Sequence, residues 1–249
     1  MRARQLAGSL LKAGIDFLYP PACLWCKCLL PSRWTLAPGL CSTCLDRVAP
    51  EVKNRCQRCS APIGPHLQSQ KGCIHCSRDQ RRYERVISLG AYDGELRRAC
   101  LSCKHRYEPS LTIALVRLLV ERSRPFFDEF QPDIVLPVPH HWVDRFRSSH
   151  VANTIAERLG HELGIRCRLT TLRKIRWTPR QQGLPASRRL KNVRGAFRAR
   201  HSRSIAGKRV LLADDVLTTG STADQCAAAL LEAGASQVCV AVLARSIGG

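Results

Sequence analysis

With 249 residues, 45% of them hydrophobic, the chain has enough material to bury one ordinary core and carry a small appendage. Forty Lys and Arg against 19 Asp and Glu give a formal charge of +21, a surplus that favours polyanionic partners through phosphate neutralisation and counterion release. No stretch approaches the ~20 apolar residues of a bilayer-spanning helix, so a membrane-spanning class is set aside and a cytoplasmic location is expected.

Residues 1–20 place Leu6, Leu10, Leu11, Ile15, Phe17 and Leu18 at roughly helical spacing, interrupted by Lys12 and Asp16. That pattern predicts an amphipathic helix rather than the uninterrupted apolar core of a signal peptide.

Cysteines dominate the next segment. Four Cys-x-x-Cys pairs follow one another: Cys23/Cys26, Cys41/Cys44, Cys56/Cys59 and Cys73/Cys76. Such a knuckle lets two thiolates reach one metal ion, and two knuckles complete the tetrahedral S4 shell that suits zinc. The spacing within consecutive pairs is that of zinc ribbons. It predicts two structural zinc sites in sequence order, the first from Cys23, Cys26, Cys41 and Cys44, the second from Cys56, Cys59, Cys73 and Cys76. An interleaved pairing stays open, as does Cys28 in place of Cys26. The intervening segments hold few large apolar residues, so metal must do much of the folding there. Cys100, Cys103, Cys167, Cys226 and Cys239 read as small packing residues. The expected division is 1–80 for the helix and double ribbon and 81–249 for a second domain.

After Cys76 the character changes. Strands are predicted over Arg85–Tyr92, Asp133–Val138, Arg209–Ala213 and Val238–Leu243. Helices are predicted over Leu96–Arg106, Leu111–Glu121, Val151–Leu163 and Ala223–Glu232, with Thr178–Phe197 mostly loop. Apolar runs without polar alternation, separated by helices, indicate an α/β fold: a parallel sheet with helices on both faces.

From Arg166 to Arg209 there are 15 Lys or Arg and no Asp or Glu. Such a run is either a disordered arm or one wall of an anion site. Arg173, Lys174, Arg176, Arg180, Arg188, Arg189, Lys191 and Arg194 are its candidate contacts to single-stranded DNA, with Trp142, Trp177 and Phe197 available for base stacking.

The segment Val210–Thr222 combines an apolar strand, paired carboxylates Asp214 and Asp215, and the small-residue loop Thr218, Thr219, Gly220, Ser221, Thr222 leading into a helix. Small residues let backbone N–H groups face an oxyanion, hydroxyls add donors, and the helix N-terminus contributes its dipole. Carboxylates beside a phosphate would repel it unless they serve sugar hydroxyls or a magnesium shell.

This segment resembles the signature of type I phosphoribosyltransferases. The resemblance implies that Asp214 and Asp215 hold the ribose hydroxyls of phosphoribosyl pyrophosphate, and that Thr218–Thr222 wrap its 5′-phosphate. Further motifs resemble the ComF/GntX family of competence and DNA-utilisation proteins: Tyr19-Pro-Pro-x-Cys23, the tandem cysteine pairs, Ala91-Tyr-Asp-Gly-Glu-Leu-Arg97, Val135-Leu-Pro-Val-Pro139, Gln181, Leu184, Arg189, Asn192 and Gly195-Ala-Phe197. By that resemblance Pro137 and Val138 face the pyrophosphate, Lys104 looks toward the same anion, magnesium accompanies the ligand, and Arg145 and Arg147 offset the charge of the leaving group. The family usually continues from its second arginine into Gly-Phe-Asn-Gln; here Ser148, Ser149, His150 and Val151 stand instead. The implied function is ligand binding and DNA handling in DNA uptake or utilisation, with the uptake machinery as an implied partner. The alternative is an active phosphoribosyltransferase of nucleotide metabolism or salvage, its acceptor unidentified.

Overall fold

The computed structural model describes residues 18, 20–30, 39–52, 54–64, 72–76, 80–105, 108–139, 149–178, 193–200 and 202–247. The amphipathic segment 1–20, the pair Arg145 and Arg147, Trp142, and the basic residues Arg180, Arg188, Arg189 and Lys191 lie essentially outside these residues.

Strands β1 (Val86–Ala91), β2 (Ile134–Pro137), β3 (Arg166–Cys167), β6 (Arg209–Leu217) and β7 (Gln237–Arg245) form one sheet in the order β1-β7-β6-β2-β3. Every pairing in it is parallel. Strands β6 and β7 are the longest, nine residues each, and their apolar stretches Val210–Ala213 and Val238–Ala244 are buried, as strands covered on both faces require. Alternation along β6 divides the core. Leu211 and Ala213 join one apolar cluster, and Val210 and Leu212 join the other, because successive side chains of a strand point to opposite faces.

The first face is covered by α1 (Ser42–Val48), α2 (Gly94–His105), α3 (Pro109–Arg122), α4 (Arg124–Phe130) and α5 (Ser149–Leu163). The second is covered by α6 (Ser221–Glu232) and by the antiparallel pair β4 (Leu172–Lys174) and β5 (Phe197–Ala199). Helices on both faces of a parallel sheet are the architecture expected from the sequence. Leu211 and Leu212 are fully buried, each worth roughly 1.5–3 kcal/mol of transfer free energy. Among the described residues no helix is long and apolar enough to cross a membrane.

Differences from the expectation are local. Helix α4 was not foreseen; Pro125 at its start and the apolar Phe126, Phe127 and Phe130, all buried, make it a short packing element. Strand β6 runs four residues past Ala213, so Asp214 and Asp215 sit inside a paired strand, with Asp214 opposite Val242. Pairing with β7 overrides the low strand preference of aspartate. Part of the stretch expected as loop supplies β5, whose Phe197 is buried in the second core rather than available for base stacking. Cys100, Cys103, Cys226 and Cys239 are buried packing residues and Cys167 is half-buried, as expected.

Candidate phosphate site and cysteine clusters

Parallel sheets present their ligand sites at the carboxyl ends of the strands, and the predicted residues converge there. Asp214 Oδ1 accepts from the Asp215 amide at 2.9 Å, and Asp215 Oδ1 accepts from the Val216 amide at 2.8 Å. These bonds orient the two carboxylates. The Asp214 carboxyl is held well above the ordinary carboxylate range, first by burial and then by the negative charge of Asp215. Lys104, near the end of α2, places Nζ 3.3 Å from Asp215 Oδ2. Burial opposes the lysine charge, but the charge and hydrogen bond of Asp215 outweigh it and raise the lysine pKa.

The end of β2 lies beside this pair. Pro137 is in register with Ala213, and the Val138 amide donates to the Ala213 carbonyl at 2.8 Å. Asp214, Asp215, Lys104, Pro137 and Val138 therefore come together at one sheet edge.

The loop between β6 and α6 turns at Gly220, whose φ of +74° is left-handed. A Cβ there would stand 2.4 Å from Tyr83 Oη, so both the conformation and the space call for glycine. Thr219 and Ser221 share a hydroxyl–hydroxyl bond of 3.0 Å. The N-cap of α6 is Gly220, which has no side chain to offer, and Thr219 Oγ1 accepts from the Ser221 amide at 3.5 Å; the dipole at this helix start favours an anion. Asp224, buried in the first turn, is fixed by Arg82: the Arg82 amide donates to Oδ1 and Nη2 to Oδ2, each at 2.8 Å. Gln225 Oε1 accepts from the Gly195 amide at 3.2 Å. The helix start is thus anchored from two sides.

Sequence reasoning missed Tyr83, the Arg82–Asp224 pair and Arg245. Nothing in the local pattern marks the first two, which meet α6 across a long separation. Arg245 does carry a signal: it is a charged residue ending the otherwise apolar run Val238–Ala244.

All fourteen cysteines are free thiols, and two clusters of four can hold a metal ion. In the second, the Sγ atoms of Cys56, Cys59, Cys73 and Cys76 lie within 4.8 Å of one another. Cys59 to Cys73 is 3.6 Å, Cys56 to Cys76 is 3.7 Å and Cys73 to Cys76 is 3.9 Å. A tetrahedron of sulfurs ~2.3 Å from zinc has edges of about 3.8 Å, so the donor set fits that ion. The sequential pairing, not the interleaved one, is the one present.

In the first cluster the four mutually close thiols are Cys23, Cys26, Cys28 and Cys41. Cys26 and Cys41 stand 3.8 Å apart. Cys28 thus joins the thiols the sequence draws together, and the Cys44 thiol also hydrogen-bonds to Cys26, Cys41 and Cys23, so five thiols converge here. Cys44 is buried next to them, its amide donating to Cys41 Sγ at 3.4 Å. The physical reason is the turn: Lys27 adopts φ +64° and the Cys23 amide donates to the Cys28 carbonyl at 2.7 Å, which folds Cys28 back beside the knuckle. The Cys28 amide and thiol lower the Cys26 pKa to about 6, favouring the thiolate a metal requires.

Both clusters lean on the sheet domain. Trp25 Nε1 donates to Glu95 Oε2 at 3.1 Å, and Arg47 meets Glu95 Oε1 at 3.0 Å, tying the first cluster to α2. At the second, Arg55 donates to the carbonyls of Ser88 and Leu89, and the Val86 amide donates to the Arg58 carbonyl at 2.9 Å.

Of the described basic candidates, Arg173 is exposed and directly opposite exposed Arg198 across the β4–β5 pair. Arg176 donates to the Arg194 carbonyl at 2.9 Å. Trp177 and Ile175 are 55% and 52% exposed, whereas Lys174 is half-buried.

Sheet order, carboxylate pair and glycine-turned loop define a phosphoribosyl transferase domain. That family matches residues 109–248, and the chain belongs to it. Over nearly its whole length the chain is also 30% identical to the DNA utilization protein YhgH of Salmonella typhi, covering 92% of this chain and 98% of that protein. It is 27% identical to competence protein F of Haemophilus influenzae, covering 84% and 91%. The chain is therefore a member of the family that holds these two proteins, the ComF/GntX family. A solved purine phosphoribosyltransferase from Pyrococcus horikoshii overlaps 53% of this chain and 70% of its own, at 21% identity and a TM-score of 0.34. That overlap adds nothing to the fold assignment, which rests on the family match and the strand order.

Proposed function

We propose that this chain binds phosphoribosyl pyrophosphate with magnesium at Asp214–Thr222 and handles single-stranded DNA in DNA uptake or utilisation. The observation that carries the reading is the site at the end of β6: two oriented carboxylates beside a glycine-turned loop that opens onto the start of α6. The carboxylates suit ribose hydroxyls and the metal shell, and the loop amides with the Thr218, Thr219, Ser221 and Thr222 hydroxyls suit the 5′-phosphate. Pro137 and Val138 would line the pyrophosphate side. Arg145 and Arg147 would join them, offsetting the developing charge if the ligand is turned over.

The names of the relatives support the DNA half, as does the β4–β5 surface. Like charges placed directly across an antiparallel pair repel, so Arg173 and Arg198 gain most when a phosphate lies between them. Exposed Trp177 beside them offers a stacking face worth ~1–3 kcal/mol per base. The two cysteine clusters would each hold one structural zinc, since a closed S4 shell leaves no open coordination position. On this reading residues 1–80 are the metal-stapled part and 81–249 the ligand-binding part of a cytoplasmic protein.

Calorimetric titration with phosphoribosyl pyrophosphate and magnesium tests the ligand half. Wild type should bind and the Asp214→Asn, Asp215→Asn double variant should not; equal binding by both sinks the assignment. For the DNA half, affinity for a single-stranded oligonucleotide should fall steeply with salt. Trp177→Ala should weaken it roughly tenfold or more at constant salt, and a salt-insensitive affinity removes this part of the reading.

A further inference from the structure

A guanidinium is buried behind the phosphate loop, and no carboxylate among the described residues neutralises it. Arg245, the last residue of β7, is 8% exposed. Its Nη1 donates to the carbonyls of Leu217, Thr218 and Ser246, and its Nε is buried without a hydrogen-bond partner. Among the described residues no carboxylate forms an ion pair with it. Its own backbone is held on both sides, by register with Leu217 on β6 and with Ala91 on β1. The side chain therefore has one fixed place, directly behind the peptide that opens the loop.

Burying an unpaired charge is expensive, and chains avoid it unless the charge is answered by a partner. The three carbonyls gather at Nη1 alone, and they answer its charge only with dipoles. The Leu217 carbonyl does not depend on Arg245, because it also accepts from the Ser246 amide at 2.8 Å. A hydrogen-bonding role alone would be served by a neutral side chain. What a neutral side chain cannot supply is positive potential at the back of a loop whose front faces an anion. Lys104, the cation at the front of the site, is already engaged by Asp215.

We propose that Arg245 is the positioning residue and built-in countercharge of the phosphate loop: it fixes the Thr218 carbonyl away from the ligand and answers the charge of the 5′-phosphate through the loop. The inference rests on reading Thr218–Thr222 as a phosphate cradle. It differs from that reading in placing a determinant of affinity on a residue that never touches the ligand. The guanidinium is 8% exposed, and partly buried charges interact more strongly than charges in bulk water.

The test compares wild type, Arg245→Lys and Arg245→Gln, titrated with ribose 5-phosphate and with phosphoribosyl pyrophosphate plus magnesium. Unliganded thermal stability is measured in parallel. Arg245→Gln should lose about tenfold or more in affinity for both probes while melting close to wild type without ligand, since it removes a buried charge. Arg245→Lys, which keeps the charge, should retain affinity within a few-fold. Equal affinity of wild type and Arg245→Gln overturns the proposal, as does a lysine variant no better than the glutamine one. A glutamine variant that loses stability and affinity together also overturns it, leaving Arg245 a structural brace. Wild type that binds neither probe overturns the cradle reading itself, an outcome visible without any variant.

Discussion

Lys104 Nζ and Asp215 Oδ2 lie 3.3 Å apart, joining α2 to the carboxylate pair at the end of β6. The ammonium lies beside the carboxylates where a divalent cation would be attracted, and it neutralises part of the field that would attract one. Lys104→Met should therefore act in opposite directions on two probes. Magnesium alone should bind several-fold tighter, because a positive charge has left, and phosphoribosyl pyrophosphate should bind several-fold more weakly. Titrations of each ligand check this, and changes of the same sign for both would mean that Lys104 matters only for folding.

Gly220 and Tyr83 are expected to be coupled. Gly220→Ala forces a side chain onto φ +74° and to within 2.4 Å of the tyrosine hydroxyl oxygen. The left-handed conformation alone costs roughly 1–2 kcal/mol, and the clash adds to it. Adding Tyr83→Phe removes the offending oxygen, leaving the next ring atom at 3.4 Å. The double variant should regain part of the lost stability, a non-additivity that a denaturation cycle reads directly. Strict additivity would show that the loop has moved instead.

The first cysteine cluster offers five thiols for the four positions of a tetrahedral shell. Because Cys28 completes the mutually close set with Cys23, Cys26 and Cys41, while Cys44 is buried beside it, Cys28→Ser should lower bound metal by one equivalent per chain. Cys44→Ser should leave it unchanged while costing some packing. Metal analysis of the purified variants decides the matter, and the reverse pattern would place Cys44 in the shell instead of Cys28.

Asp133 gives the fold a titratable brace outside the site. Its Oδ2 accepts from the Arg209 amide at 2.8 Å with the Arg209 guanidinium at 3.6 Å. That amide bond is the main reason its pKa lies below the ordinary 3.8. A depressed carboxylate stabilises the folded state at pH values above its unfolded pKa, and the contribution is lost as pH falls through the folded pKa. Asp133→Asn should cost about 1 kcal/mol at neutral pH and should flatten the decline in stability below about pH 4. Unfolding curves at several pH values test it, and parallel declines in both proteins would refute it.

The sheet was legible because its central strands are uninterrupted apolar runs, and Val210–Ala213 cannot be read as anything solvent-facing. The phosphate loop was legible because its chemistry is local: nine consecutive residues from Asp214 to Thr222 supply it. What escaped are the relationships made by distant contacts. Tyr83 reaches Gly220 and Arg82 reaches Asp224 across more than 130 residues of chain, and no periodicity encodes that. Phe197 misled because an aromatic in a basic tract looks like a stacking platform until β5 turns it inward. Cys28 misled for a different reason. Ribbon spacing describes pairs, and the third thiol was brought in by a left-handed turn at Lys27 that composition does not announce.

The contact of the second cysteine cluster with β1 has a consequence for solubility. Strand β1 borders the sheet, and unpaired carbonyls at such a border are a template for pairing with another chain. Here the Ser88 and Leu89 carbonyls are occupied by Arg55 and the Val86 amide by Arg58, both arginines held by the turns around Cys56 and Cys59. The cysteine knuckle thus acts as a gatekeeper against strand addition. Chelating the metal should uncover a ready-made template for self-association while the sheet itself is still intact. The expected sign is light scattering that rises before the helical signal falls, with Arg55→Ala scattering even in fully metallated protein.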